Sequence, residues 1–274
     1  MGDRNGEYMV KKRLIPCLFL KNGLLVRSEG FCNHQILGDP LHQVDRLNSW
    51  QADEVVYIDI SDDEEYDLRR DDMKVKGLNT LHGIIKQVSK RCFVPLTVGG
   101  NLRTIEEIEA RLRCGADKVV INTAAHRDPT FITRAADRFG KQCIIVGIDV
   151  LGGVNGRIYC DNGRIEINHS PLDWAKKVEA HGAGEIFLNS IDRDGTGQGY
   201  DIELIKQITS AVKIPVIACG GVGNFTHFVE GIVSGGASGV AAGNIFNYTE
   251  NCVLRAKKAL AVAGVDIREV KKHV

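Results

Sequence analysis

The chain has 274 residues, 35 Lys plus Arg against 35 Asp plus Glu, a formal net charge of zero and 43% hydrophobic residues. That is the composition of a soluble globular protein, not of a disordered one, and with no net field to gather polyanions it argues against a nucleic-acid partner while leaving local phosphate sites open. No apolar run approaches the ~20 residues of a membrane helix, and residues 1–12 lack the apolar core of a signal peptide, so a cytoplasmic protein without membrane contact is expected.

The predicted strands, in chain order, are residues 13–20, 54–60, 93–98, 118–122, 143–149, 185–189, 214–219 and 239–242. Helical patterns lie between them, among them 104–113, 129–139, 171–181, 201–212 and 225–234. Strands separated by helices must run parallel, because each helix is the crossover that returns the chain. Eight such units predict a single (β/α)₈ barrel spanning 1–274.

An internal repeat sharpens this choice. Val94-Pro95-Leu96-Thr97-Val98-Gly99-Gly100 parallels Ile214-Pro215-Val216-Ile217-Ala218-Cys219-Gly220, and Gly115-Ala116-Asp117-Lys118-Val119 parallels Gly236-Ala237-Ser238-Gly239-Val240. Glu54-Val55-Val56 likewise matches Glu185-Ile186-Phe187, and Ile15 to Phe19 matches Ile145 to Asp149. Two half-barrels, about 11–139 and 140–264, are expected.

Barrels place chemistry where strands end. Gly100 and Asn101 follow the third strand, Asn122 and Thr123 the fourth, Asp194 and Gly195 the sixth, Gly220 and Gly221 the seventh, Gly243 and Asn244 the eighth. Small residues there expose backbone N–H groups that suit phosphate, and the repeat sets them on opposite sides of the mouth. This predicts two phosphate sites and a ligand phosphorylated at both ends; the plain alternative is that the glycines only serve tight turns. Gly221-Val222-Gly223 lacks the third glycine of a dinucleotide fingerprint, so no nicotinamide or other cofactor is expected. The eight cysteines are scattered without a C-x-x-C pair or a nearby histidine at ligand spacing, which predicts mostly buried thiols, no disulfides and no metal.

Acids close several strands: Asp59, Asp149, and Asp192 with Asp194 in the loop after the sixth. A mouth carboxylate whose surroundings bring its pKa near neutrality can move protons, and Asp149 is the leading catalytic candidate, with turn capping as the alternative. In the other half-repeat the matching position is Phe19, which can neither donate nor accept a proton. At the opposite ends of the strands, Arg13, Glu54, Lys118 and Glu185 could meet as a ring around the axis, either gating a passage or sealing the core.

The motifs Arg13-Leu14-Ile15-Pro16-Cys17-Leu18, Leu96-Thr97-Val98-Gly99-Gly100, Gly115 to Ala125, Asp192-Arg193-Asp194-Gly195-Thr196 and Ile214 to Gly221 resemble the cyclase subunit of imidazole glycerol phosphate synthase, across roughly residues 11–264. The resemblance implies a barrel that binds a bis-phosphorylated ribulose derivative and receives ammonia along its axis from a partner glutaminase. It makes Arg13, Glu54, Lys118 and Glu185 the ammonia gate and turns Asp117 toward the glutaminase. It also carries the phosphate role onto Asn122, Thr123, Asp194, Gly195, Gly221, Gly243 and Asn244, with Asn101 in place of a family glycine and Asn244 in place of a serine. Asp59 matches a polar mouth residue, and Arg27 replaces a lysine on the first loop.

The family's two catalytic aspartates fall on Phe19 and Asp149, so one is absent. The loop 61–76 is also longer than the family's, which implies a changed mouth. A kept gate with a lost acid, together with Leu18-Phe19-Leu20 and Glu185 to Asp192, resembles a paralogous branch of bacterial surface polysaccharide (O-antigen) clusters. There the barrel, a glutaminase and an N-acetyl sugar amidotransferase are thought to convert an acetamido sugar to an amidine. The expected function is the ammonia-conducting synthase component of such a system. Two other readings stay open: a genuine histidine-pathway cyclase using Asp149 alone, and a non-catalytic scaffold that activates a glutaminase. The insert 152–169, with Asn162-Gly163 between two short alternating runs, predicts a β-hairpin above the mouth, as lid or docking edge.

Overall fold

The computed structural model describes residues 11–63, 65–66 and 78–270. Its elements in chain order begin with β1 (Arg13–Lys21), β2 (Leu24–Glu29), β3 (Asn33–Gly38), α1 (Pro40–Ser49), β4 (Val55–Asp59), α2 (Leu81–Val88), β5 (Leu96–Gly99) and α3 (Ile105–Arg113). There follow β6 (Lys118–Ile121), α4 (Thr123–Arg127), α5 (Thr130–Phe139), β7 (Ile144–Leu151), β8 (Arg157–Cys160), β9 (Ile165–Ile167), α6 (Pro171–Ala180) and β10 (Glu185–Ser190). The chain ends with α7 (Ile202–Thr209), β11 (Val216–Cys219), α8 (Phe225–Val233), β12 (Gly239–Ala242), α9 (Ile245–Tyr248) and α10 (Cys252–Val262).

Strands β1, β4, β5, β6, β7, β10, β11 and β12 pair in parallel in that order, and β12 returns to β1 with Arg13 opposite Gly239, which closes a (β/α)₈ barrel. The alternation along β1 explains why the strands read as unbroken apolar runs. Ile15, Cys17 and Phe19 point inward to meet Val56, Val120, Ile145, Phe187 and Ile217. Leu14, Leu18 and Leu20 point outward into the layer shared with the helices, among them Leu47, Ile84 and Leu260. Helix starts are set locally: Thr104 and Glu107 form a reciprocal capping box on α3, and Ser170 caps α6 with Pro171 in its first turn.

Two ladders begin two or three residues later than the strand pattern predicts. β5 starts at Leu96 and β11 at Val216, each just after a proline that has no N–H to give, and Phe93 is left 84% exposed. Both half-repeats carry an antiparallel hairpin on their first strand. The expected one at 152–169 is β8–β9, turning through Asp161, Asn162 and Gly163 at positive φ. Its counterpart, β2–β3, falls on the first loop, where the polar run Arg27-Ser28-Glu29 conceals the alternation. Most of the 61–76 loop lies outside the described residues. Cys17, Cys160, Cys219 and Cys252 are buried, while Cys32 is exposed on the first hairpin.

Candidate functional site

At the N-terminal end of the barrel the four predicted charges meet. Arg13 bonds Glu54 at 2.8 Å and Glu185 at 2.5 Å, and Lys118 lies 2.6 Å from Glu185 and 3.3 Å from Glu54. Thr97 Oγ1 donates to Glu54 at 2.8 Å, which satisfies a carboxylate that is almost fully buried. Burial pushes the Glu185 carboxyl up, but bonds from Arg13 and the charges of Arg13 and Lys118 outweigh it and hold Glu185 below the usual carboxylate range. The ring crosses the axis with alternating sign. Asp117, exposed on the same end, anchors its own turn by accepting from the Leu96 amide at 2.8 Å.

At the other end a cavity of about 560 Å³ opens above the barrel core. Its lining includes Phe19, Val120, Gly147, Asp149, Phe187 and Asn189. Asp149 is the acid that the strand pattern singles out, and it sits among protein groups while keeping a partly open face to the cavity. Burial raises its pKa to about 7, the amides of Asn189 and Asn122 pull the other way, and the Asp194 carboxylate adds to the rise. Asn122 Nδ2 donates to Asp149 Oδ2 at 2.7 Å. A carboxyl poised near neutrality can take a proton from a ligand and return it. Phe19, 9% exposed, offers only a ring.

Asp59 also lines the cavity, yet its oxygens are committed. Ser61 Oγ donates to Oδ1 at 2.6 Å and Tyr66 OH to Oδ2 at 2.9 Å, so Asp59 holds the loop that follows β4. Burial raises its pKa, and these bonds restrain the rise.

The predicted phosphate residues separate into two groups. Gly100, Asn101, Asn122 and Thr123 line the cavity, whereas Asp194, Gly195, Gly220, Gly221, Gly243 and Asn244 do not. The first hairpin lies against the turn after β10, where Ser28 Oγ and the Phe31 amide both donate to Asp194 Oδ2. The repeat nevertheless persists in the backbone, since Gly100 and Gly220 both adopt φ +98°. Their successors, Asn101 (φ 53°) and Gly221 (φ 97°), are both left-handed, a conformation that asparagine tolerates better than most residues. Arg27 also falls outside the cavity, bonded to Glu29 at 2.9 Å and Tyr248 at 3.2 Å.

Several lining residues escaped sequence reasoning. Asn189, 3% exposed, faces Asp149 in register across β7–β10, and its Oδ1 has no hydrogen-bond partner among the described residues. Its only sequence signal is an amide two places beyond an inward-pointing Phe187. Lys21 continues the inward side of β1 and lies 3.4 Å from His34 Nδ1 on the first hairpin. Burial, then the Lys21 charge, lowers the His34 pKa. The two hairpins meet above the cavity, where a Cβ on Gly163 would stand 3.0 Å from the Phe31 ring, and Arg164 of the second hairpin reaches Asp62 on the loop after β4 at 3.1 Å. No group of three or more metal-ligating side chains occurs among the described residues, and none of their helices is long and apolar enough to cross a membrane.

The family model described as histidine biosynthesis protein matches residues 13–252. The chain belongs to this family. It is 41% identical over 263 residues, 95% of its length, to a protein of Vibrio vulnificus (strain YJ016) provisionally named imidazole glycerol phosphate synthase subunit hisF2, of which it covers 92%. The closed parallel barrel with its outer helices is the architecture expected of a member, and the chain is similar to the cyclase subunit of that synthase.

Proposed function

We propose that the chain is the ammonia-using synthase component of a glutamine amidotransferase, working with a glutaminase docked over the Arg13, Glu54, Lys118 and Glu185 end. Its cargo reaction is the amidation of an N-acetyl sugar for bacterial surface polysaccharide, together with an N-acetyl sugar amidotransferase. The observation that carries this reading is the asymmetry at the mouth: Asp149 is kept in an amide-lined setting, and Phe19 fills the matching position with hydrocarbon. If acid/base catalysis is worth ~10²- to 10⁴-fold, loss of one acid disables a reaction that needs two. Ammonia delivery needs only the ring and the axis.

The test is turnover of the histidine-pathway bis-phosphorylated intermediate with saturating ammonium by the parent protein and by Phe19→Asp, beside glutamine hydrolysis by the glutaminase with and without the chain. Stimulated hydrolysis, no parent turnover and activity in the variant are expected. Turnover by the parent at ordinary enzyme rates would overturn the reading. That outcome would favour a genuine cyclase, which the Asp149 pKa of about 7 suits, since one group can then serve as both acid and base near neutral pH.

A further inference from the structure

The second hairpin, β8–β9, is fastened to the segment after β6 at both of its ends. At its tip the Asp161 amide donates to Thr123 Oγ1 at 3.1 Å. At its base His169 stands between Ile167, whose carbonyl accepts from its amide at 2.8 Å, and Ser170, which caps α6. The His169 ring stacks on Trp174 in α6, 5.6 Å between centroids and 15° between planes, so the residue just before the cap grips the start of the helix and sets the angle at which the hairpin enters it. Trp174, 1% exposed, also stacks on His126 of α4, at 4.3 Å and 23°. Hairpin, α6 and α4 thus meet on one indole ring.

Packing and not hydrogen bonding holds these ring edges: neither nitrogen of His126 nor Nε1 of Trp174 has a partner among the described residues. Buried polar atoms left so cost stability, which the ring contacts must offset. Burial, then the charge of His169, lowers the His126 pKa to about 4, so the imidazole on Trp174 is neutral near neutral pH. From there the contact reaches the acid in two steps. The His126 amide donates to the Asn122 carbonyl at 3.2 Å, and Asn122 Nδ2 donates to Asp149 Oδ2 at 2.7 Å. Asn122 Oδ1 has no partner of its own among the described residues, so beyond the bond to Asp149 the direction of this amide is set by the backbone that carries it.

We propose that His126, Trp174 and His169 are positioning residues for Asp149: the stack clasps the base of the second hairpin to α4, and α4 in turn holds the Asn122 amide on the carboxyl. Hairpin and acid then move as one unit, so a displacement of the hairpin changes the surroundings in which Asp149 gives up its proton. This rests on Asp149 as the proton carrier of the mouth and on neither the glutaminase nor the sugar. Failure of the amidotransferase reading leaves the measurements below untouched.

The test follows the Asp149 carboxyl carbon by NMR against pH in the full chain, its signal assigned with Asp149→Asn, beside amide hydrogen exchange across 122–127 and 157–167. The proteins compared are the parent, His126→Ala, His169→Ala and His126→Phe. In the parent Asp149 titrates at about 7. His126→Ala and His169→Ala are each expected to raise that midpoint by about half a pH unit or more, because an amide bond that favours the carboxylate is loosened, and to speed exchange about tenfold in both segments at once. His126→Phe keeps a ring on Trp174 and is expected to match the parent in both readouts. His169 is exposed, so His169→Ala leaves the core whole and decides the matter if His126→Ala does not fold. A midpoint unmoved in the folded variants, exchange that rises in only one of the two segments, or His126→Phe behaving like His126→Ala would each overturn the proposal.

Discussion

Asn122 donates to Asp149 Oδ2 at 2.7 Å, while the position that matches Asp149 in the other half-repeat holds the ring of Phe19. Ionisation of Asp149 is therefore opposed by burial and eased by little more than amides. Its carboxyl is raised from 3.8 to about 7, so the folded chain keeps this proton longer than the unfolded one. The associated stability is full below about 3.8 and is lost as pH rises through about 7. Asp149→Asn is expected to remove this slope and to be the more stable protein at alkaline pH by on the order of 3 kcal/mol, measured by urea unfolding across the range.

The ring at the opposite end carries the reverse dependence. Glu185 is held below its ordinary 4.5 by Arg13 and Lys118, so its contribution is present above 4.5 and fades as pH falls further. Acid unfolding of the parent is expected to begin in that range, and Glu185→Gln is expected to shift its onset. Glu54→Gln breaks the charge alternation and leaves Arg13 and Lys118 facing each other with a single acid; a loss of about 3 to 5 kcal/mol is expected in chemical denaturation.

Gly100 and Asn101 are neighbours with opposite tolerance. A Cβ on Gly100 would stand 2.1 Å from the Asp59 carbonyl oxygen at φ +98°, so Gly100→Ala is expected to lose more than about 3 kcal/mol or to fail to fold. Asn101→Gly keeps the left-handed backbone and gives up the 3.0 Å bond from Nδ2 to the Ser61 carbonyl and the long 3.4 Å bond that Oδ1 accepts from Arg103, a change of about 1 kcal/mol in thermal unfolding.

The second hairpin is tied to the loop after β4 by an exposed ion pair. Arg164→Ala removes the reach to Asp62 and is expected to speed hydrogen exchange across 157–167 while changing global stability by less than about 1 kcal/mol. Unchanged exchange would show that the hairpin is held by its contact with Phe31 of the first hairpin and not by the loop after β4.

The barrel strands were legible because both of their faces are apolar, and runs such as Leu14 to Leu20 carry inner and outer cores at once. The ring was legible for the same reason: a charge that opens an apolar strand has nowhere to go but the barrel end. The covering of Asp194 was not, because it depends on β2–β3 folding back across 166 positions of chain to bring Ser28 to it. Asn189 was hidden as well, since only the register with β7 makes it a neighbour of Asp149.

The seam of the barrel lies between β1 and β12, near the two extremes of the chain, with Lys12 bridging Ile267 just beyond it. During synthesis the N-terminal strand therefore emerges long before its partner, and Arg13 must wait for Glu185 to clear the ribosome before the charge ring can exist. The charge ring thus exists only once both halves of the barrel have been made. A chain cut short of β10 would leave Arg13 without Glu185 and the apolar edge of β1 without β12.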